Sequence, residues 1–581
     1  MRLNSRIATL FVAGGALVWA GCGGEGGAGG PAAGAEDFCR RVRVAVAAYM
    51  DSVEAANPVP DDERYGGTAV VGTIGELTDG MNALVSADYG SQQHQLFVNL
   101  MPLIVNDPET LDPLPYLAES WEVNDEETAI TFHIRRDVHW HDGMPTDAHD
   151  VAFTYLTVTD PRTAFPNAAF WDYYVKGPEG VEVLDDYTVR IRMRPHAEFM
   201  DPWRTLAIMP EHLLADVPPE QLKQHPFGTQ CPVGDGPFVF VEHRPNDRWV
   251  FRANPGFPPA LGGRPYLDRY VYRIIPEQTT LLTELLTGGL DVYPAPRSDQ
   301  AKAILDAPEL ELRHYPFRNY VFVGWNSRRP QLADRRVRKA MTMGTDRARI
   351  VKALLKGYGR VANGTLPPFH WAYEPDSLPQ FPYDPDAARA LLDDAGWIDR
   401  DGDGVRENED GVRLEVSIKY NQGNQQRQDV AEIMQAQLAR IGVEVHPQVV
   451  EWGTLLDQIM SPERRDFDGV VMAWVTEFNV DDRDLFDSHR IDQPYAWSGT
   501  RNPVLDHYLD TLQLIVDRDK ARPVWLAYER ALADEHPYTL FYFPDRLDGV
   551  NRRLKNVRMD VRGEWVDIKD WWIDPGQRRT R

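Results

Sequence analysis

Residues 134–155, IRRDVHWHDGMPTDAHDVAFTY, decide how this chain is read. Val138 and Trp140 alternate with polar neighbours, the pattern of a half-buried strand. His141-Asp142-Gly143 interrupts that strand, and Gly143 can take the positive φ that a tight turn needs. Pro145 leads into Thr146, which the spacing predicts as the N-cap of a helix. Asp147 and Asp150 then fall in the first turn, where acidic side chains suit the positive end of the helix dipole. Val151, Tyr155 and Val158 recur on one helical face. A strand, a turn and a helix start follow one another within about twenty residues.

The same alternation extends along the chain. Glu36–Ala55 reads as a short amphipathic helix outside the main body, and the Pro- and Asp-rich residues 57–62 read as a linker. The body begins near Gly67 with the strand TAVVGTIGEL. Leu117–Trp121, LAESW, introduces a hairpin whose alternating second strand is TAITFHIR, Thr128–Arg135. Asn319–Asn326, NYVFVGWN, is a strand ending in Trp-Asn. Asp334 caps a helix carrying Val337, Ala340 and Met341. Asp346-Arg347 opens another, which Gly357 stops. Asp384-Pro385 pairs an N-cap with proline at the first helical position, and Gly396 ends the helix that follows. Gln425–Ile441 repeats its apolar residues on one face, and Ile441-Gly442-Val443 enters a strand. Alternating short strands and helices predict an α/β protein.

The chain has 581 residues and a net charge of −26, which argues against nucleic acid or an anionic membrane as the partner. Arg2 and Arg6 precede a short apolar run, Ile7–Ala20, too short and too glycine-interrupted for a membrane span. The run ends in Trp19-Ala20-Gly21-Cys22, which resembles a bacterial lipobox. On this reading residues 1–21 are a signal peptide and Cys22 is the site of lipid attachment. Residues 22–66 then hold a flexible Gly-rich tether and the short helix. The remaining ~545 residues exceed one ordinary core and predict two lobes. Of three cysteines, Cys22, Cys39 and Cys231, lipidation of the first leaves an even pair. Outside the cytoplasm such a pair commonly oxidises, so a Cys39–Cys231 disulfide is expected, against the alternative of two unpaired buried thiols.

The segment W-H-D-G-x-P…D-V-x-F-T-Y, Trp140–Tyr155, resembles a landmark of the family 5 extracellular solute-binding proteins. That family includes the oligopeptide-, dipeptide- and nickel-binding receptors of bacterial ABC importers. LAESW at 117–121, PVGDGPF at 232–238 and Y-D-P…A-G-W from Tyr383 to Trp397 resemble further family motifs, in the same order, over about residues 70–575. The resemblance implies a two-lobe type II periplasmic-binding-protein fold with a small inserted third domain. It implies lobe I from 67–110, 233–312 and 530–581, an inserted domain at 111–232, and lobe II at 313–529. It implies a monomeric receptor, without cofactor, that captures a short peptide and delivers it to the transmembrane permease. Such a receptor is held by its lipid at the periplasmic or cell-surface side of the membrane. Nickel chelates, haem, sugars and opines are other ligands of the same fold.

The resemblance also implies site residues. Trp474-Val475-Thr476-Glu477-Phe478 is similar to a W-x-x-D-Y segment whose acidic residue pairs with a peptide α-amino group, so Glu477 and Trp474 become candidates. Trp325, Asn326, Tyr420, Asn421, Tyr495 and Trp497 sit where the family places cleft walls, with Ser91 and Gln92 opposite. A different class of function is a secreted metal-dependent hydrolase using His133, His139, His141, Asp142 and His149. His139 and His141 share a strand face, as a metal pair would, but no H-E-x-x-H accompanies them. Asp399, Asp401, Asp403 and Asp410 resemble a calcium loop that has Asp at its twelfth position instead of Glu. No G-x-S-x-G nucleophile elbow is present.

Overall fold

The computed structural model describes residues 31–578, except 87, 125–127, 167, 169, 170, 172, 173, 194–198, 477 and 479. The expected signal peptide and the lipid-bearing Cys22 therefore lie outside the described residues, as does Glu477.

Helix α1 (Pro31–Ala56) starts earlier than Glu36 and packs Cys39, Val42 and Met50 inward. In chain order the main strands are β1 (Thr68–Thr73), β2 (Ala118–Val123), β3 (Ala129–Ile134), β4 (Val181–Asp185), β5 (Thr188–Arg192), β6 (Phe238–Arg244), β7 (Arg248–Ala253), β8 (Arg269–Ile274), β9 (Val292–Pro294), β10 (Leu310–Pro316), β11 (Asn319–Trp325), β12 (Gly359–Val361), β13 (Glu415–Asn421), β14 (Glu444–Val450), β15 (Gly469–Val475) and β16 (Tyr538–Asn551). Strands β2–β3–β5–β4 form an antiparallel sheet of four. Twelve others join in the order β14–β13–β15–β11–β16–β9–β1–β8–β7–β6, with β10 and β12 also paired to β16.

Strand β16 is the link between two lobes. Its first part, from Tyr538 to Pro544, pairs with β11 and β12. Its second part, from Asp545 to Asn551, pairs with β10 and β9. Strands β10 and β11 are themselves joined by Phe317-Arg318, so the chain passes between lobes at two adjacent places. Phe317 N–H donates to the Pro544 carbonyl across these passages at 3.3 Å. The expected boundaries at 312/313 and 529/530 fall inside β10 and inside helix Arg518–Glu535, whereas the strand partners change at 317–318 and 544/545.

Alternation explains why the second lobe is buried on both faces of its sheet. Tyr320 and Phe322 enter one apolar core with Trp497, Tyr528 and Tyr538. Val321, Val323 and Trp325 enter the other, with Met341, Ile350 and Leu438. Phe132, Trp140, Tyr155 and Trp203 of the inserted domain sit in a third core, which they share with Cys39 and Val42 of α1 and with Leu84, Leu100 and Leu103 of the first lobe.

The segment at residues 134–155 forms its turn and helix as expected but shifts in detail. Strand β3 ends at Ile134, and residues 138–140 contribute only an isolated bridge from His139 to Pro145. Helix α2 (Ala148–Thr159) is capped by Asp147 and not by Thr146. Asp147 accepts from the His149 and Asp150 amides while Asp150 reaches back to the Asp147 amide, a capping box that a buried threonine cannot supply. Gly143 has φ +96°, and a Cβ there would meet the Tyr49 ring of α1 at 2.8 Å. The glycines of PVGDGPF serve close approach: a Cβ on Gly234 would lie 1.8 Å from the Asn99 carbonyl oxygen.

Cys39 and Cys231 are disulfide-bonded, with their Cα atoms 5.4 Å apart and a sequence separation of 192. This bond, the ion pair of Glu54 with Arg252 and the Tyr49 contact hold α1 on the body. Replacing both cysteines by serine is expected to lower stability by about 2–5 kcal/mol. It should also expose α1 to protease before the rest of the chain. Thermal melting and timed proteolysis check this, and unchanged melting with equal protection of α1 contradicts it.

Candidate functional site

A cavity of about 190 Å³ lies between the lobes beside the two chain passages. Its first-lobe wall begins with helix Tyr89–His94. Asp88 caps that helix by accepting from the Ser91 amide. The helix runs directly into a π-helical turn, Gln95–Asn99. That wider turn brings Leu96 and Phe97 to the cavity beside Tyr89, Gln92 and Gln93. The inserted domain adds Arg204, at the end of a 3₁₀ turn. The C-terminal loop adds Arg562, Asp567 and Lys569. The second lobe contributes Arg318, from the passage itself, and Phe478, just beyond β15.

Phe478 is the contact across the cleft. The Arg204 guanidinium of the first lobe lies 4.3 Å from its ring centroid, and the Arg318 guanidinium 5.1 Å from it. Cation–π contacts of this kind contribute about 0.5–2 kcal/mol, more when shielded from water. A second contact across the cleft is the ion pair of Arg518 with Asp112, 3.0 Å. The lobes therefore touch on either side of the cavity.

Each cation of the first-lobe wall is held by an acid that does not itself line the cavity. Arg204 pairs with Asp201 at 2.9 Å, Arg562 with Asp560 at 2.7 Å, and Lys569 with Asp570 at 2.8 Å. Asp567 does line it, and burial pushes its carboxyl above the usual range against the pull of Arg562 and Arg558. Beneath the wall, Tyr89 donates to Glu564 at 3.0 Å. Glu564 pairs with Arg546, on β16 just past the second passage. Burial raises the carboxyl of neighbouring Asp548 above the usual range, despite Arg546.

The residues expected at the site separate into two groups. Gln92 lines the cavity. Ser91 is buried beneath it, donating to Asp88 at 2.7 Å. Trp325 and Asn326 are buried in the second lobe and not at the cleft. Trp325 donates to Thr539 at 3.0 Å, and Asn326 donates to the Phe467 carbonyl at 3.0 Å. Tyr420 is core, and Asn421 accepts from Arg427 at 2.9 Å. Trp474, Tyr495 and Trp497 form an aromatic stack, with Trp474 and Trp497 4.5 Å apart, that does not line the cavity. The sequence reading missed Arg204, Arg318, Arg562 and Tyr89. The only local signal was the placement of Arg318 directly before the strand NYVFVGW.

The histidines of the opening segment do not converge. His133 lies 3.8 Å from Glu122, and His149 lies 3.9 Å from Asp186. His141 is buried against the Gly236 carbonyl, and its pKa is lowered to about 4 by burial. Asp142 pairs instead with His212 at 2.9 Å. Asp399, Asp401 and Asp403 bring carboxylate oxygens within 4.8 Å of one another, and Asp410 is not part of that group. Asp403 is paired with Arg413.

The sequence and the fold match known proteins. The model of the bacterial extracellular solute-binding proteins, family 5 Middle, matches residues 112–490. The chain belongs to this family. It is 31% identical over 513 residues to the oligopeptide-binding protein AppA of Bacillus subtilis, covering 88% of this chain and 92% of AppA. It is 27% identical to the dipeptide-binding protein of Escherichia coli, covering 78% of this chain and 85% of that protein. The solved structure of B. subtilis AppA in complex with a nonapeptide superposes with a TM-score of 0.71 at 30% identity, covering 88% of this chain and 99% of AppA. As a family 5 protein the chain is a substrate-binding receptor with the two-lobe type II periplasmic-binding fold and an inserted third domain.

Elsewhere in the second lobe two acids are buried against one hydroxyl. Thr365 Oγ1 lies 2.6 Å from Asp482 and 2.7 Å from Glu529. A hydroxyl has one proton to donate. The second short contact therefore requires a carboxyl that donates to the threonine oxygen, and the pair retains a proton. Burial pushes Asp482 up to about 6 and Glu529 up to about 7, and Asp482 adds to the rise at Glu529. The folded state thus binds a proton that the unfolded state releases above its ordinary carboxyl pKa. Stability declines as pH rises from about 4 through 7, by at most ~1.4 kcal/mol per pH unit for one proton. Glu529→Gln, which mimics the protonated acid, is expected to flatten this part of the curve. Denaturant melts at pH 4.5 and 7.5 check it, and an unchanged slope contradicts the shared proton.

Proposed function

We propose that this chain is the receptor of an ABC importer, held by a lipid on Cys22 at the outer face of the membrane, and that it captures a short peptide between its lobes. The observation that carries the reading is the cavity of about 190 Å³ whose walls come from both lobes. A guest enclosed there touches Tyr89 and Gln92 on one side and Arg318 and Phe478 on the other. Binding then favours the closed form by the difference in affinity between closed and open states. The kinship with AppA of B. subtilis, an oligopeptide-binding protein, and with the dipeptide-binding protein of E. coli supports peptide as the ligand class.

In this reading the first lobe comprises residues 68–316 with 545–578, including the inserted domain, and the second comprises 319–543. Glu477 remains the proposed partner of the peptide α-amino group, since its neighbour Phe478 lines the cavity. A charge-assisted hydrogen bond to a buried ammonium contributes about 1.5–3 kcal/mol. The receptor acts as a monomer, performs no chemistry on its guest and hands it to a transmembrane permease.

Native mass spectrometry of the purified protein, followed by denaturation, is expected to release intact peptides. A protein that cleaves them, or that binds none of a mixed peptide pool, contradicts the reading. Phe478→Ala removes the ring held between Arg204 and Arg318 and is expected to weaken peptide binding about tenfold, ~1.4 kcal/mol. Calorimetric titration checks this, and an unchanged Kd removes Phe478 from the site.

A further inference from the structure

The walls of the cavity carry an imbalance of charge. Among the described lining residues, Arg204, Arg318, Arg562 and Lys569 are cationic and only Asp567 is acidic. The acids that hold Arg204, Arg562 and Lys569 stand one layer behind them and do not line the cavity. A guest therefore meets the cations first and their counter-charges at a greater distance. At a wall partly shielded from water, that difference in distance gives a net attraction for negative charge.

Arg562 shows how the layer is built. Its Nε and Nη2 donate to Asp560 at 2.9 and 2.7 Å, and its Nη1 donates to the Asn106 carbonyl at 2.9 Å. Guanidinium has five N–H groups, so two remain after these three bonds. The three bonds fix the plane of the fork, and the side chain, 10% exposed, faces the cavity. A guanidinium whose orientation is already fixed loses little freedom when a carboxylate arrives. Arg204 is fixed in the same way, between Asp201, Asn106 and the Phe478 ring.

We propose, resting on the peptide-receptor reading, that the cavity selects peptides carrying an acidic side chain, whose carboxylate meets the Arg204–Arg562–Lys569 wall. The cations come from the inserted domain, the C-terminal loop and the interlobe passage. Arg204 and Arg562 both donate to Asn106, and Arg204 and Arg318 both face the Phe478 ring, so an acidic side chain entering there meets several cations at once.

The test uses the whole protein, freed of bound ligand, and three peptides with identical termini: Ala-Glu-Ala, Ala-Gln-Ala and Ala-Lys-Ala. Calorimetry is expected to find Ala-Glu-Ala at least tenfold tighter than Ala-Gln-Ala, with Ala-Lys-Ala weakest. Arg562→Gln and, independently, Lys569→Met should each reduce the Glu-to-Gln ratio at least threefold, in proteins whose melting temperatures show them folded. Equal binding of the Glu and Gln peptides overturns the acidic preference while leaving the receptor intact. A ratio unmoved in both variants overturns the assignment of the wall. Failure of all three peptides to bind overturns the peptide reading together with this inference.

Discussion

Two neighbouring backbone passages carry the architecture: Phe317-Arg318 between β10 and β11, and Pro544-Asp545 within β16. Because β16 is one unbroken strand of 14 residues, the lobes cannot slide past each other without breaking the ladders on either side. They can rotate about the passages, where the strand changes partners. Asp545 marks that point. Its backbone N–H donates to the Tyr358 carbonyl at 3.0 Å, while its carboxylate meets His314 of the first lobe and Arg360 of the second. Hinge rotation about a few such residues is a common way for a two-lobe protein to close. The cavity lies against these passages, and Arg318 belongs to both.

Buried charge reinforces this arrangement. Arg546, Glu564 and Asp548 lie together just past the second passage, and Tyr89 ties them to the cavity wall. Two acids facing one cation away from water are costly, and removing one member of such a group typically costs 3–5 kcal/mol. The cluster fixes the first-lobe wall relative to the strand that carries the hinge. A second acidic pair, Asp482 and Glu529 around Thr365, is buried within the second lobe. The first-lobe wall thus rests on buried polar groups with specific geometry. Apolar packing alone would allow the walls to repack.

Much of the fold was legible in the sequence because its signals are local. Asp334, Asp346 and Asp384 cap helices as their spacing indicated, each accepting a hydrogen bond from a first-turn amide. The strand at Asn319 ends at Trp325, one residue short of the reading. The site was far less legible. Trp325, Asn326, Tyr420 and Trp497 looked like cleft residues because aromatic and amide side chains serve ligands and cores alike. The residues that do line the cavity, Arg204, Arg318 and Arg562, stand far apart in sequence in irregular stretches with no periodicity. Only the tertiary fold brings them together. Even the capping of the opening helix depended on a contest between Thr146 and Asp147 that spacing alone could not decide.

The central claim is that a guest holds the two lobes together by touching both. Single-molecule energy transfer between dyes on Leu184 of the inserted domain and Leu514 of the second lobe, both exposed, measures this most directly. The account predicts a broad or bimodal interlobe distance in ligand-free protein, which saturating peptide collapses to one short distance. A single distance that ligand leaves unchanged would contradict it.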